Sequence, residues 1–191
     1  VNRKKKTDGL SWAGLKSEWY GWYLEKAPVL IFGLKFGLLI LLLYLILDLP
    51  VGDRMLFVYL EFNAWLTNFF LNIFGQHSHV ADGVVVSSTQ FSMAIRRGCD
   101  AVEATWLLCA AILAFPAPVK KKLWGTLAAT VALQALNIVR LLTLYWIGVH
   151  WPSFFNSAHM ELWPTIFIIV AIVLFLCWKG VLLDQADRTH A

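Results

Sequence analysis

Four apolar stretches constrain this chain more than anything else in it. They cover residues 28–47, 101–118, 123–149 and 162–178. A bilayer core of about 30 Å calls for about 17–25 apolar residues in helical form. Hydrophobic residues make up 59% of the 191 positions and the mean hydropathy is +0.65, so several of these runs must lie in lipid. The expected fold class is an all-α integral membrane bundle, built as one domain over residues 1–191.

The remaining composition fits that class. Ten Trp and thirteen Phe suit a chain with much interfacial and lipid-facing surface. The net charge of +4 is no nucleic-acid signal, because the basic residues cluster at the ends of apolar runs and read as topology determinants. No cleavable signal peptide is expected, since residues 1–27 are too polar and the first apolar run is too long. Three cysteines without a C-x-x-C pair argue against a disulfide framework. Cys109 and Cys177 fall inside apolar helices, where a thiol acts as a small hydrophobe.

Residues 54–76 are long enough to span, yet Arg54, Glu61, Asn68 and Asn72 form a polar stripe at helical spacing, with Trp65 beside it. That pattern suits an interfacial or shielding helix. Charge parity agrees. Basic clusters stand at Arg3–Lys6, Lys120–Lys122 and Lys179. If all are cytoplasmic, an even number of crossings separates each pair, which four spans satisfy and five do not. Residues 1–27 then form a cytoplasmic or interfacial segment with Trp12, Trp19, Tyr20, Trp22 and Tyr23. Residues 77–97 carry β-type runs, Val84–Val86 and Phe91–Ile95, around a Ser-rich turn, and predict a small extracytoplasmic β-hairpin.

This topology brings three reactive side chains to one face. Cys99 stands at the outer end of the second span. Arg140 lies in the outer half of the third, about 12–14 Å below its end at about 1.5 Å per residue, and a guanidinium climbs part of that by snorkelling. His159 stands in the outer loop before the fourth. A helix N-terminus and the cations Arg96 and Arg97 favour a thiolate at Cys99. His159 is placed to take the thiol proton and return it to a leaving amine. Arg140 is placed to hold a developing oxyanion. Gln134, Asn137 and Arg140 recur every three residues on one face, and Glu103 is a partner for Arg140 that lowers the cost of keeping either in the membrane.

Each of these residues also has a plainer reading. A cysteine at a helix start is more often structural, a membrane Arg often serves packing through an ion pair, and a loop His is usually solvated. A transporter subunit with Glu103 and Arg140 lining a polar path, or a non-catalytic scaffold presenting the hairpin, therefore stays open. His150 is a rival base. His77-x-His79 lacks the carboxylate pattern of a metal site, and neither G-x-S-x-G nor a phosphate-binding glycine loop occurs.

The segments Gly98-Cys99-Asp100-Ala101-Val102-Glu103-Ala104, Leu113-Ala114-Phe115-Pro116-Ala117, Gln134-x-x-Asn137-x-x-Arg140 and His159 with Trp163 resemble the exosortase/archaeosortase family, and within it the short exosortase H type. The resemblance is best from about residue 76 to 180. It implies a multi-pass protein of the bacterial inner membrane, a cysteine protease or transpeptidase facing the extracytoplasmic side. Its substrates would be proteins ending in a short motif, a transmembrane helix and a basic tail, with water, a glycan or a lipid as acceptor. It implies Cys99 as nucleophile, Arg140 as stabilising cation and His159 as base, with Glu103, Asn137, Gln134, Asp100 and Arg97 in support. No metal, organic cofactor or nucleic acid is expected; membrane lipids are. The family often has Asn-Gly or Ser-Gly after the cysteine, where this chain has Asp100-Ala101. An acidic neighbour opposes thiolate formation by its charge, or else caps the helix amides.

Overall fold

The computed structural model describes the backbone of residues 12–98 and 100–190, with side chains over residues 23–182 apart from position 99. Helix α1 (Trp12–Leu47) is followed by α2 (Pro50–Ile73), then strands β1 (His79–Ala81), β2 (Val85–Ser87) and β3 (Ser92–Ala94). Helices α3 (Val102–Ala114) and α4 (Val119–His150) come next. A 3-10 turn (Pro152–Phe154), the single turn α5 (Phe155–Ser157) and a π turn (Ala158–Leu162) lead into α6 (Trp163–His190). The fold is an all-α membrane bundle with a small sheet.

Among the described residues, three helical stretches are long and apolar enough to cross a membrane: Tyr23–Leu47, Val119–His150 and Pro152–Leu182. The apolar α3 has thirteen residues, about 20 Å at about 1.5 Å per residue, short of a core of about 30 Å. Helix α2 is not among the three. Helix α1 runs through residue 28 without a break, with Pro28 inside it. The outward residues of α1 and α6, such as Leu34, Leu38, Leu41, Ile168 and Ile172, are exposed and apolar. That is the expected surface of a lipid-facing helix. Among the described residues, a Cβ on Gly33 or Gly37 would meet nothing within 4 Å.

Helix α4 is the central element. Its Leu133, Ile138, Leu141, Leu144 and Tyr145 are buried against Leu108 and Ile112 of α3, Leu60 and Ala64 of α2, and Phe167 of α6. Two polar ties fix α3. Trp106 Nε1 donates to the Leu39 carbonyl of α1 at 2.8 Å, and Lys122 Nζ donates to the Leu113 carbonyl at 2.7 Å. The second satisfies a carbonyl that the end of α3 leaves orphaned.

The predicted hairpin is a three-stranded antiparallel meander in the order β1-β2-β3. Ser88 Oγ and Tyr145 OH of α4 lie 2.6 Å apart, and the Phe91 ring meets Tyr145 edge-on at 6.0 Å. Gly148 makes this docking possible, because a Cβ there would fall onto the Phe91 ring. Helix α2 holds the other end. Asn72 accepts from the Ser78 N–H at 2.8 Å and donates to its carbonyl at 3.0 Å, while Asn68 accepts from the Ser78 hydroxyl at 2.8 Å. Half of the polar stripe expected to shield a site thus anchors the chain just before β1.

Candidate active site

Arg140 is 4% exposed, on the buried face of α4. Its Nη1 and Nη2 both donate to the Gly98 carbonyl at 3.4 Å. Nη2 also lies 3.5 Å from His159 Nδ1. The guanidinium carbon stands 5.7 Å from the centre of the Phe167 ring, a cation–π contact from α6. One cation therefore ties together the turn before α3, the π turn before α6 and the first turns of α6.

Cys99 lies outside the described residues. Its neighbours define the turn that carries it. Gly98 has φ +90° and Ala101 has φ +57°. The first is free for glycine, whereas the second puts an alanine in the left-handed region at a cost of about 1–2 kcal/mol. Asp100 between them is buried. Its Oδ1 accepts from the Val102 N–H, the first amide of α3, at 3.1 Å. The acid thus caps the first amide of α3. Oδ2 is buried with no hydrogen-bond partner among the described residues. Burial pushes the Asp100 carboxyl above its ordinary range, against the opposite pull of the Val102 amide and of Arg140.

Gln134 and Asn137 share the face of Arg140 but meet a different partner. Asn63 Oδ1 of α2 accepts from Gln134 Nε2 at 2.8 Å and from Asn137 Nδ2 at 3.1 Å. Asn63 Nδ2 donates to the Tyr59 carbonyl at 2.9 Å. The Tyr59 hydroxyl donates to the Asp100 carbonyl at 2.9 Å and contacts Gln134 Oε1. A polar chain therefore runs from α4 through α2 to the Gly98–Ala101 turn. Tyr59 and Asn63 were not singled out from the sequence. The signal was present, since Leu56, Leu60, Asn63, Ala64, Thr67 and Leu71 are the buried face of α2 at helical spacing.

Glu103 is exposed at the start of α3 and lines a cavity of about 290 Å³ with Gly98, Asp100, Arg140 and Pro164. Arg97 reaches the end of α1. Its Nη2 donates to the Leu47 carbonyl at the end of α1 at 3.1 Å and stands 3.9 Å from Asp53. His150 is also directed elsewhere, exposed and flanked by Trp146 and Trp151. Cys109 is buried beside Thr130 at 3.6 Å, and Cys177 is exposed on α6.

A buried guanidinium facing an imidazole between apolar helices is where membrane proteins keep function, because packing alone does not repay the desolvation. That makes the molecule a multi-pass membrane protein with a polar intramembrane site. The chain belongs to the transmembrane exosortase family, whose model matches residues 22–178. At the family level this is a membrane transpeptidase with a sorting role. No curated protein and no solved structure matches the chain.

Proposed function

We propose that this protein cleaves the C-terminal sorting signal of secreted or surface proteins by cysteine chemistry at the extracytoplasmic face of the bacterial inner membrane. The observation that carries the reading is Arg140, which bridges the Gly98 carbonyl next to Cys99 and the Nδ1 of His159. The Cys99 sulfur attacks the scissile carbonyl as its thiol loses a proton, and the oxyanion that forms takes over a guanidinium N–H. A guanidinium can only donate, so Nδ1 accepts from it and is the basic nitrogen of a neutral imidazole whose proton sits on Nε2. Nδ1 takes the thiol proton as the sulfur attacks, and the guanidinium N–H it gives up turns to the developing oxyanion in the same step. Collapse of the tetrahedral intermediate breaks the C–N bond, His159 returns the proton to the leaving amine, and a thioester remains on Cys99. Water, or an amine or hydroxyl acceptor on a glycan or lipid, then releases the product.

The substrate's own apolar helix supplies most of the binding through packing against the spans, so changes in that helix raise KM before they lower kcat. Basic clusters at Arg3–Lys6, Lys120–Lys122 and Lys179 support four crossings, with 28–47, 101–118, 123–149 and 162–178 in the membrane, 54–76 at the interface and the sheet outside. Co-expression with a tail-bearing protein tests the chemistry. Cys99→Ala must accumulate in the membrane and leave the tail attached, and mass spectrometry of the wild type must show a new C-terminus. Unchanged processing by Cys99→Ala ends the thiol reading. Labelling of Cys99 by an impermeant thiol reagent from the cytoplasmic side alone ends the proposed orientation.

A further inference from the structure

The three-stranded sheet has an open edge beside His159. The Phe91 carbonyl accepts from the Ser88 N–H at 3.0 Å, and the Ile95 N–H donates to the Val84 carbonyl at 2.9 Å. The register pairs Val86 with Met93. Residues 91, 93 and 95 therefore turn their backbone groups toward β2. Backbone direction alternates along an antiparallel strand, so the N–H and C=O of Ser92 and Ala94 face the other way. No backbone hydrogen bond outside the β2 ladder takes up these four groups among the described residues.

A cavity of about 180 Å³ lies along this edge, bounded by Phe91 to Ala94 on the sheet side and by Leu144, Phe155 and His159 opposite. His159 belongs to both regions, since it faces this cavity and contacts Arg140 at 3.5 Å. The Phe155 ring stacks on the imidazole at 5.9 Å and closes the far wall.

We propose that the outer edge of β3 receives the extended segment of the protein substrate as a fourth strand, bonded through the backbone of Ser92 and Ala94. This rests on the peptidase reading above and adds where the peptide lies. The complement of two N–H and two C=O groups at a two-residue repeat is an extended peptide. A helix arrives with its own backbone already satisfied, and an acyl chain leaves all four groups unmet at a site bordering lipid. An added strand here runs past His159 toward the cavity that holds Arg140 and the Gly98–Ala101 turn. Its side chains alternate in direction, so every second residue enters the space beside Leu144 and Phe155 and is selected for apolar character, while the residues between face out with Ser92. Backbone pairing supplies affinity and the alternate pocket supplies choice.

Proline at position 94 removes one outward N–H and leaves the β2 ladder intact, because that N–H does not face β2. Ala94→Pro, co-expressed with a tail-bearing substrate, is expected to cut the processed fraction about ten-fold while still accumulating as a monodisperse protein in detergent. A second measurement stands even if that variant misfolds. In a Ser92→Cys protein that also carries Cys99→Ala, Cys109→Ala and Cys177→Ser, single cysteines are placed in turn at each substrate residue before the cleavage position and oxidised. Disulfide yield is expected to alternate between strong and weak with every residue. Uniform yield, a helical period, or wild-type processing by a well-folded Ala94→Pro overturns the proposal. Loss of the thiol mechanism would appear separately, as undiminished processing by Cys99→Ala.

Discussion

The Nη2 of Arg140 on α4 reaches to 3.5 Å from Nδ1 of His159 on the π turn before α6. The same guanidinium spans the Gly98 carbonyl with both terminal nitrogens. A planar fork can hold one oxygen and one imidazole together, whereas an ammonium offers a point charge with no fixed spread. Arg140→Lys should therefore keep the positive charge and lose the geometry. Processing of a tail-bearing substrate is expected to fall by about 10²-fold or more in kcat/KM, the scale of losing an oxyanion donor. Near-wild-type turnover by Arg140→Lys would reduce Arg140 to a charge-balancing role.

Tyr59 tethers the turn that carries position 99, through its hydroxyl on the Asp100 carbonyl at 2.9 Å. Tyr59→Phe keeps the ring and deletes this bond. The expected loss is about 0.5–1.5 kcal/mol of stability, read as a lower Tm in detergent. Activity should fall by more than the unfolded fraction accounts for, and a change in kcat at constant KM would mark the turn as mispositioned.

Ala101 holds φ +57°, where glycine pays no Cβ penalty. Ala101→Gly is expected to stabilise the protein by up to about 1 kcal/mol, since relief of the left-handed strain exceeds the added freedom of the unfolded chain. An unchanged or lowered melting temperature would contradict it.

Asp100 sets a pH dependence. Its carboxyl is raised above 3.8, mainly by burial. In the acid range between that ordinary value and the raised one, the folded state holds a proton that the unfolded chain has already lost. Its contribution is therefore fully present below the ordinary value and declines as pH rises through the raised value. Asp100→Asn cannot ionise and should flatten that decline, as followed by melting temperatures across the acid range. A parallel pair of curves would assign the decline to other groups.

Asn63 accepts from both Gln134 and Asn137. Asn63→Ala strands two buried donors and should cost about 1–3 kcal/mol. Asn63→Asp keeps an acceptor at that point and should recover part of the loss in the same melting assay. No recovery would place the value of Asn63 in its own donation to the Tyr59 carbonyl.

Helices were legible where lipid is the judge. Runs such as Pro28–Leu47 announce themselves because a bilayer rewards apolar length and little else. The three-residue repeat of Gln134, Asn137 and Arg140 also survived, because helical spacing keeps such residues on one face. Their division of labour did not follow from spacing. Gln134 and Asn137 engage Asn63, while Arg140 passes them to reach Gly98, and only the packing of α2 on the middle of α4 separates the two roles. Arg97 next to the cysteine also bonds the Leu47 carbonyl and stands near Asp53 at the junction of α1 and α2, a contact that spacing did not suggest.

The amino-acid order alone determined that this chain lives in a membrane as a bundle of helices, and which few polar residues interrupt its apolar runs. Those are one-dimensional properties, set by the length of a hydrophobic stretch and the cost of a charge within it. Tertiary structure decided which interruptions meet: Arg140 with His159 and Gly98, Tyr59 with Asp100, and a free strand edge beside the imidazole. Each of these joins segments far apart in the chain, and distance along a sequence carries no information about distance in space until helices pack.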